Sequence, residues 1–154
     1  MGSKRKITVI IVLMLFLLGL FGGLALIKER DYQAKLISAL NKQEDITVQD
    51  VFSFKFDRAY IFNDCYLSGE GFAKKYNLDI SISEVNSGTS ENLQRVVFVD
   101  ESGSFVYEFR CISSEILLLE KGIVIYPGTK IKQESLMQEK PLIISFESSE
   151  HYDS

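Results

Sequence analysis

From Ile7 to Ile27 the chain reads ITVIIVLMLFLLGLFGGLALI, 21 residues without a charge, of which 15 are Leu, Ile, Val or Phe. At about 1.5 Å per residue a helix of that length reaches roughly 30 Å, the thickness of a bilayer's hydrocarbon core. Helix is also the form in which one isolated segment satisfies its own peptide groups in lipid, so the pattern predicts a transmembrane helix over 7–27. Polar positions return at Lys28-Glu29-Arg30-Asp31, after which Tyr32, Leu36 and Leu40 recur at i, i+4, i+8 with Ile37 and Ala39 beside them. That spacing predicts an amphipathic helix, continuous with the span, that ends around 41–43.

Beyond it the period changes from helical to two. Thr47-x-x-Asp50 has the form of a cap for one short helical turn, and FKFDRAYIF, Phe54 to Phe62, reads as a strand. A second short helix is expected over 70–76, and Leu78 to Val85 alternates apolar and polar as a half-exposed strand does. QRVVFVD and FVYEFRCI, joined by a turn at Ser102-Gly103, form the clearest unit, a β-hairpin. Its second run puts Phe105, Tyr107, Phe109 and Cys111 on one face and Val106, Glu108 and Arg110 on the other, while Val96 to Val99 is apolar throughout and reads as a strand covered on both sides. Further strands are expected at Ile116–Leu119, Ile123–Tyr126 and Leu142–Phe146, the last followed by a frayed tail. The expected fold class is α+β: an N-terminal transmembrane helix, then one or two helices on a largely antiparallel sheet of five or six strands.

Charge divides the chain in the same place as hydropathy. The 154 residues carry 17 basic and 21 acidic side chains, and the first 27 hold three of the basic ones, Lys4, Arg5 and Lys6, and no acid. The remainder is therefore net −7. The basic cluster predicts residues 1–6 as a cytoplasmic leash, 7–27 as a signal anchor, 28–147 as an extracytoplasmic domain of the cell membrane and 148–154 as a flexible tail. A cleaved signal peptide would have a shorter apolar core and a small-x-small site before Lys28, and neither is present. Gly19 and Gly23 form a GxxxG, the spacing of a helix-dimer face, and make homodimerisation through the span one expectation beside a plain anchor.

Candidate chemistry is sparse. The one histidine, His151, lies four residues from the end, which leaves no imidazole for a Ser-His-Asp or Cys-His catalyst and too few ligands for a zinc site. No P-loop, GxSxG, HExxH or GxGxxG occurs, so no cofactor and no catalytic residue is expected. An acidic domain argues against nucleic acid as a partner. Asp57, Asp64, Glu70 and Asp79 fall in one region, where carboxylates serve as a solvated face, a cation site or a hydrolytic pair. Cys65 and Cys111 leave two readings open. A disulfide between them would close a loop of about 47 residues, worth roughly 4 kcal/mol, whereas Cys111 on an aromatic strand face also suits a small buried hydrophobe.

Phe56-Asp57-Arg58-Ala59-Tyr60-Ile61-Phe62, with Tyr66 close behind, resembles the W-D-x-x-Y-x-F motif of a family of bacterial membrane-anchored proteins and lipoproteins. Asp57, Tyr60 and Phe62 match, Phe56 replaces the Trp, and Cys65 stands where that family has a Pro. The resemblance extends from Val51 to about Tyr126 and implies an exported α+β domain with no established activity. On the residues themselves, Phe56, Tyr60 and Phe62 are expected to anchor the core, with Asp57 bonding turn amides. The resulting expectation is a non-catalytic, membrane-anchored domain that binds another protein, such as a toxin it neutralises or a neighbour in a membrane complex. A small-ligand or cation sensor using Asp57, Asp64 and Glu70, or a minimal carboxylate hydrolase, stands as the alternative.

Overall fold

Tyr32, Leu36 and Leu40 are all buried on the first helix, α1 (residues 32–41), as their spacing predicts. The computed structural model describes residues 32–42, 45–62, 66–88, 90–119, 123–134, 141–147 and 150–151. Apart from residues 32–34 these belong to one unit, Lys35–Ser154. Strand β1 (Ile46–Thr47) runs into helix α2 (Val48–Val51) through the expected cap: Asp50 N–H donates to Thr47 Oγ1 at 3.4 Å and Thr47 N–H to the Asp50 carboxylate at 2.8 Å. Strand β2 (Arg58–Phe62) leads to helix α3 (Gly69–Lys75), where Ser68 caps the first turn and Lys74 and Lys75 end the last. Strands β3 (Leu93–Val99), β4 (Phe105–Ile112), β5 (Ile116–Leu118), β6 (Ile123–Ile125), β7 (Lys130–Gln133), β8 (Leu142–Glu147) and β9 (Glu150–His151) complete the order.

The strands form two sheets. One has five strands in the order β4-β3-β2-β6-β9, all antiparallel; the other has four in the order β1-β7-β8-β5, in which β5 and β8 run parallel. This corrects the expected fold class. The fold is α+β, but its strands are divided between two sheets, and three helices are found among the described residues. None of these helices is long and apolar enough to cross a membrane, so the expected N-terminal transmembrane helix is not part of the described fold; Ile7–Ile27 lies outside the described residues. Period-two patterning identifies a strand without naming its sheet, and the chain passes from one sheet to the other between β1 and β2, β4 and β5, β5 and β6, β6 and β7, and β8 and β9. Strand β7, KIKQ, has a single buried residue, Ile131, and carries too little apolar signal to be read as a strand. Within the segment expected to be a frayed tail, Glu150 and His151 pair with Val124 and Ile123.

Strand β3 is covered on both faces, as its apolar run predicts. On one face Val97 and Val99 join Tyr60, Val124, Phe72 of α3, and Ile82 and Val85 of the arm after α3. That arm, expected to be a strand, makes only one isolated bridge, Ser81 to Ser104; its alternation comes from lying across a sheet face. On the other face the rings of Phe52, Phe54 and Phe56 stand 4.7, 5.0 and 4.9 Å from Phe98. Residues 54–57, expected within the strand, thus leave the sheet and place two of these rings over it, and β2 begins only at Arg58. A bulge between β3 and β4 also separates the expected Phe105-Tyr107-Phe109-Cys111 face. Phe98 is opposite Tyr107 and Val99 opposite Phe105, so Val106 is the extra residue and Phe105 packs on the α3 side.

Candidate functional site

Three places in the unit hold the side chains with chemical character. The first is a shallow cleft of about 390 Å³ lined by Lys55, Phe56, Asp57, Asp100, Glu101 and Ser102. It contains the start of the motif, but its charges are engaged within the chain. Asp57 pairs with Arg58 at 3.1 Å, Arg58 Nε donates to Tyr60 Oη at 2.9 Å, and Lys55 pairs with Glu101 at 3.3 Å. The expected bonding of turn amides by Asp57 is corrected here, because Asp100 does that work. Its Oδ1 accepts from the Ser102 hydroxyl at 2.6 Å, the Ser104 N–H at 3.0 Å and the Ser102 N–H at 2.9 Å. Gly103 closes this turn at φ +78°, where a Cβ would also lie 2.8 Å from the Asp79 carbonyl.

Those bonds, the Ser102 hydroxyl first and the Ser104 amide next, hold the Asp100 carboxyl below its ordinary range. A folded-state value depressed below the unfolded one stabilises the fold above the unfolded pKa and is lost as pH falls through the folded value. Proton titration followed by carboxyl-carbon NMR is therefore expected to find Asp100 ionising at lower pH than a free aspartate. In Asp100→Asn this contribution to the pH dependence of unfolding disappears.

The second place is Arg95, whose side chain is fully buried in β3. Its Nε donates to Glu108 Oε1 at 2.5 Å, one Nη to the Leu67 carbonyl at 3.0 Å and the other to the Asn86 carbonyl at 2.6 Å. Glu108 Oε2 accepts in turn from Arg110 at 2.6 Å. Arg95 thereby ties both ends of the α3 segment to the sheet, a positioning role. The motif runs along β3 from Phe62, which pairs with Arg95, to Asp57 at the other end, whose N–H donates to the Val99 carbonyl four positions from Arg95, or about 13 Å at 3.3 Å per residue. Glu70, next to the tethered Leu67 end, is therefore not brought to Asp57. No group of three or more His, Cys, Asp or Glu able to hold a metal occurs among the described residues, and Asp64 lies outside them.

The third place is the end of the five-stranded sheet at Leu93. Tyr66 is 61% exposed and its hydroxyl donates to Glu91 at 3.1 Å; Ile112, 50% exposed, pairs with Leu93. Leu119, 49% exposed, follows Leu118, whose N–H and C=O are both bonded by the buried amide of Gln94 at 2.8 and 3.1 Å. Three of the four large exposed hydrophobic side chains among the described residues thus sit on segments bonded to residues 91–94 at this end. Single exposed apolar residues are ordinary, whereas a group of them marks an interaction surface.

The other expected site residues are placed as follows. Phe56 and Tyr60 are buried, as anchors should be, and Phe62 ends β2. Cys111 is a free, buried thiol that burial pushes up to about 12, while Cys65, Gly19 and Gly23 lie outside the described residues. In a Cys65→Ser chain at pH 8, iodoacetamide is expected to leave Cys111 unmodified until denaturant unfolds the protein, as mass spectrometry would record. Arg95, Asp100 and Leu119 were not singled out as site residues by the sequence. Only Arg95 carries a signal that could have found it, a charge inside the apolar run of β3. Comparison with protein-family models, curated proteins and solved structures gave no match to this chain.

Proposed function

We propose that the chain is a non-catalytic protein-binding domain of the bacterial envelope, held at the outer side of the cell membrane through its uncharged stretch 7–27. The observation that carries the binding reading is the placement of Tyr66, Ile112 and Leu119 on segments bonded to residues 91–94 at one end of the sheet. The location rests on the sequence, on 21 uncharged residues preceded by Lys4, Arg5 and Lys6. Of the carboxylates expected to serve a sensor or a hydrolase, Asp57 is engaged by the Arg58 guanidinium.

A photo-crosslinking residue at Tyr66 in living cells is expected to capture a discrete protein, and Leu119→Arg is expected to reduce that capture at least about tenfold, as loss of a buried interface anchor does. Protease added to intact cells should degrade Lys35–Ser154. Capture unaffected by Leu119→Arg, or a domain shielded from protease that digests an exposed control, overturns the reading. Turnover of a cell-wall substrate by the purified chain, or calcium-dependent stabilisation, would favour the enzyme or sensor.

A further inference from the structure

A second cleft, of about 380 Å³, lies beside α1 and falls within the range of small-ligand sites, roughly 300–1,000 Å³. Lys35 and Ser38 on α1 and Lys42 just past its end, at i, i+3 and i+7, line one wall, and Asp45 and Asp50 line the other. Its charges are only partly spent within the chain. Asp45 pairs with Lys130 at 3.4 Å, and both Thr47 bonds to the Asp50 carboxylate, from the hydroxyl at 2.7 Å and the amide at 2.8 Å, fall on Oδ2. Asp50 Oδ1 and the ammonium groups of Lys35 and Lys42 have no hydrogen-bond or ion-pair partner among the described residues. The Thr47 hydroxyl first and its amide next hold the Asp50 carboxyl below its ordinary range, so it is charged at neutral pH.

We infer that this cleft takes the phosphoethanolamine headgroup of a membrane phospholipid, with the phosphate between Lys35 and Lys42 and the ammonium on Asp50 Oδ1. A lone anion would meet the Asp50 carboxylate, and a lone cation would meet two ammonium groups; a headgroup with both charges matches both. Choline has no N–H to donate to Oδ1, and the aromatic faces that hold a quaternary ammonium are absent from the lining of the cleft. The tether points to lipid as the source. Lys35 is eight residues beyond Ile27, at most about 29 Å of extended chain, and the headgroup layer itself is about 5–8 Å deep on each side. Residues 28–154 are net −7, so an anionic surface repels the domain and a zwitterionic one does not. The inference rests on the placement of 7–27 in the membrane and does not involve Tyr66 or Leu119.

The test titrates the ¹⁵N-labelled full chain, in nonionic detergent, with dihexanoyl phosphatidylethanolamine, and in parallel with the matching phosphatidylglycerol and phosphatidylcholine. The ethanolamine lipid is expected to give saturable amide shifts centred on residues 35–42 and 45–50, with an affinity at least about tenfold above either other lipid, the worth of one charge-assisted hydrogen bond. Lys35→Gln combined with Lys42→Gln, both exposed positions, is expected to weaken binding at least about tenfold and leave the rest of the spectrum unchanged. Asp50→Asn has a signature that loss of the cap alone does not produce: phosphatidylglycerol then binds as tightly as the ethanolamine lipid. Glycerophosphoethanolamine, the same headgroup without acyl chains, is expected to need about 100-fold more or higher, because a lipid sharing the micelle with the chain gains effective concentration. Equal affinity for the three lipids, unchanged binding by the double lysine variant, an ethanolamine preference kept by a folded Asp50→Asn chain, or saturation by the chainless headgroup as readily as by the lipid overturns the proposal. The titration does not depend on where the chain resides in the cell, so failure of the membrane location shows in the protease experiment and failure of the headgroup site shows here.

Discussion

Gly69→Ala is expected to destabilise the domain by about 3 kcal/mol or more, the upper range for forcing extra volume into a packed interior. A Cβ at Gly69 would stand 1.8 Å from the Ile82 carbonyl oxygen and 2.9 Å from its carbon, and this is backbone that cannot swing aside. The close approach is what lets Gly69 N–H reach the Val85 carbonyl at 2.7 Å and seats α3 against its own returning arm. Ile82, Val85 and Phe72 belong to one buried cluster, so separating arm from helix opens that core. Gly71, two residues on in the same helix, is the control. A Cβ there meets its nearest atoms at 3.4 Å, and Gly71→Ala is expected to be neutral or stabilising by up to about 1 kcal/mol from helix propensity. Urea unfolding of the two variants gives the comparison, and equal midpoints would contradict the packing described.

Arg95→Met is expected to cost about 3–5 kcal/mol, the range for removing one partner of a buried charge pair. The loss is threefold: Glu108 loses its buried counter-ion, and the Leu67 and Asn86 carbonyls lose their donors. Arg95→Lys keeps the charge but not the planar fork that serves three acceptors in different directions, so its stability should fall between wild type and Met. Arg95→Met combined with Glu108→Leu should recover part of the loss, because an apolar pair replaces a buried ionic one at little net cost. Thermal unfolding of these three variants, of Glu108→Leu alone and of wild type measures this. Additive losses in the double variant would mean that the pair is not coupled as the geometry requires.

Elements whose signal is local were legible in the chain. The Thr47–Asp50 cap, the β3–β4 hairpin, α3 and the buried stripe Tyr32-Leu36-Leu40 each follow from a spacing within ten or twenty residues. What was illegible depends on partners far away. Phe52, Phe54 and Phe56 have the period of a strand, yet the rings converge on Phe98, a residue more than 40 positions later. Phe105 alternates correctly with Tyr107 and still faces the other way, because a bulge depends on how two strands meet. The site was less legible than the fold for the same reason. Asp57 and Asp100 are both aspartates before or within turns, and only three-dimensional placement gives the amides to Asp100 and the arginine to Asp57.

The parallel pairing of β5 with β8 has a consequence for how the protein is made. Strand β8 lies between β7 and β5 and is the element that joins them, through Ile116–Leu142 on one side and Ile131–Phe146 on the other. As the polypeptide is synthesised from its amino end, β1 and β7 can pair first, and β5 stays separate from them until Leu142–Glu147 has emerged. A chain halted before Leu142 would keep the β3–β4 hairpin and the β1–β7 pair, while β5 would be left without its partner.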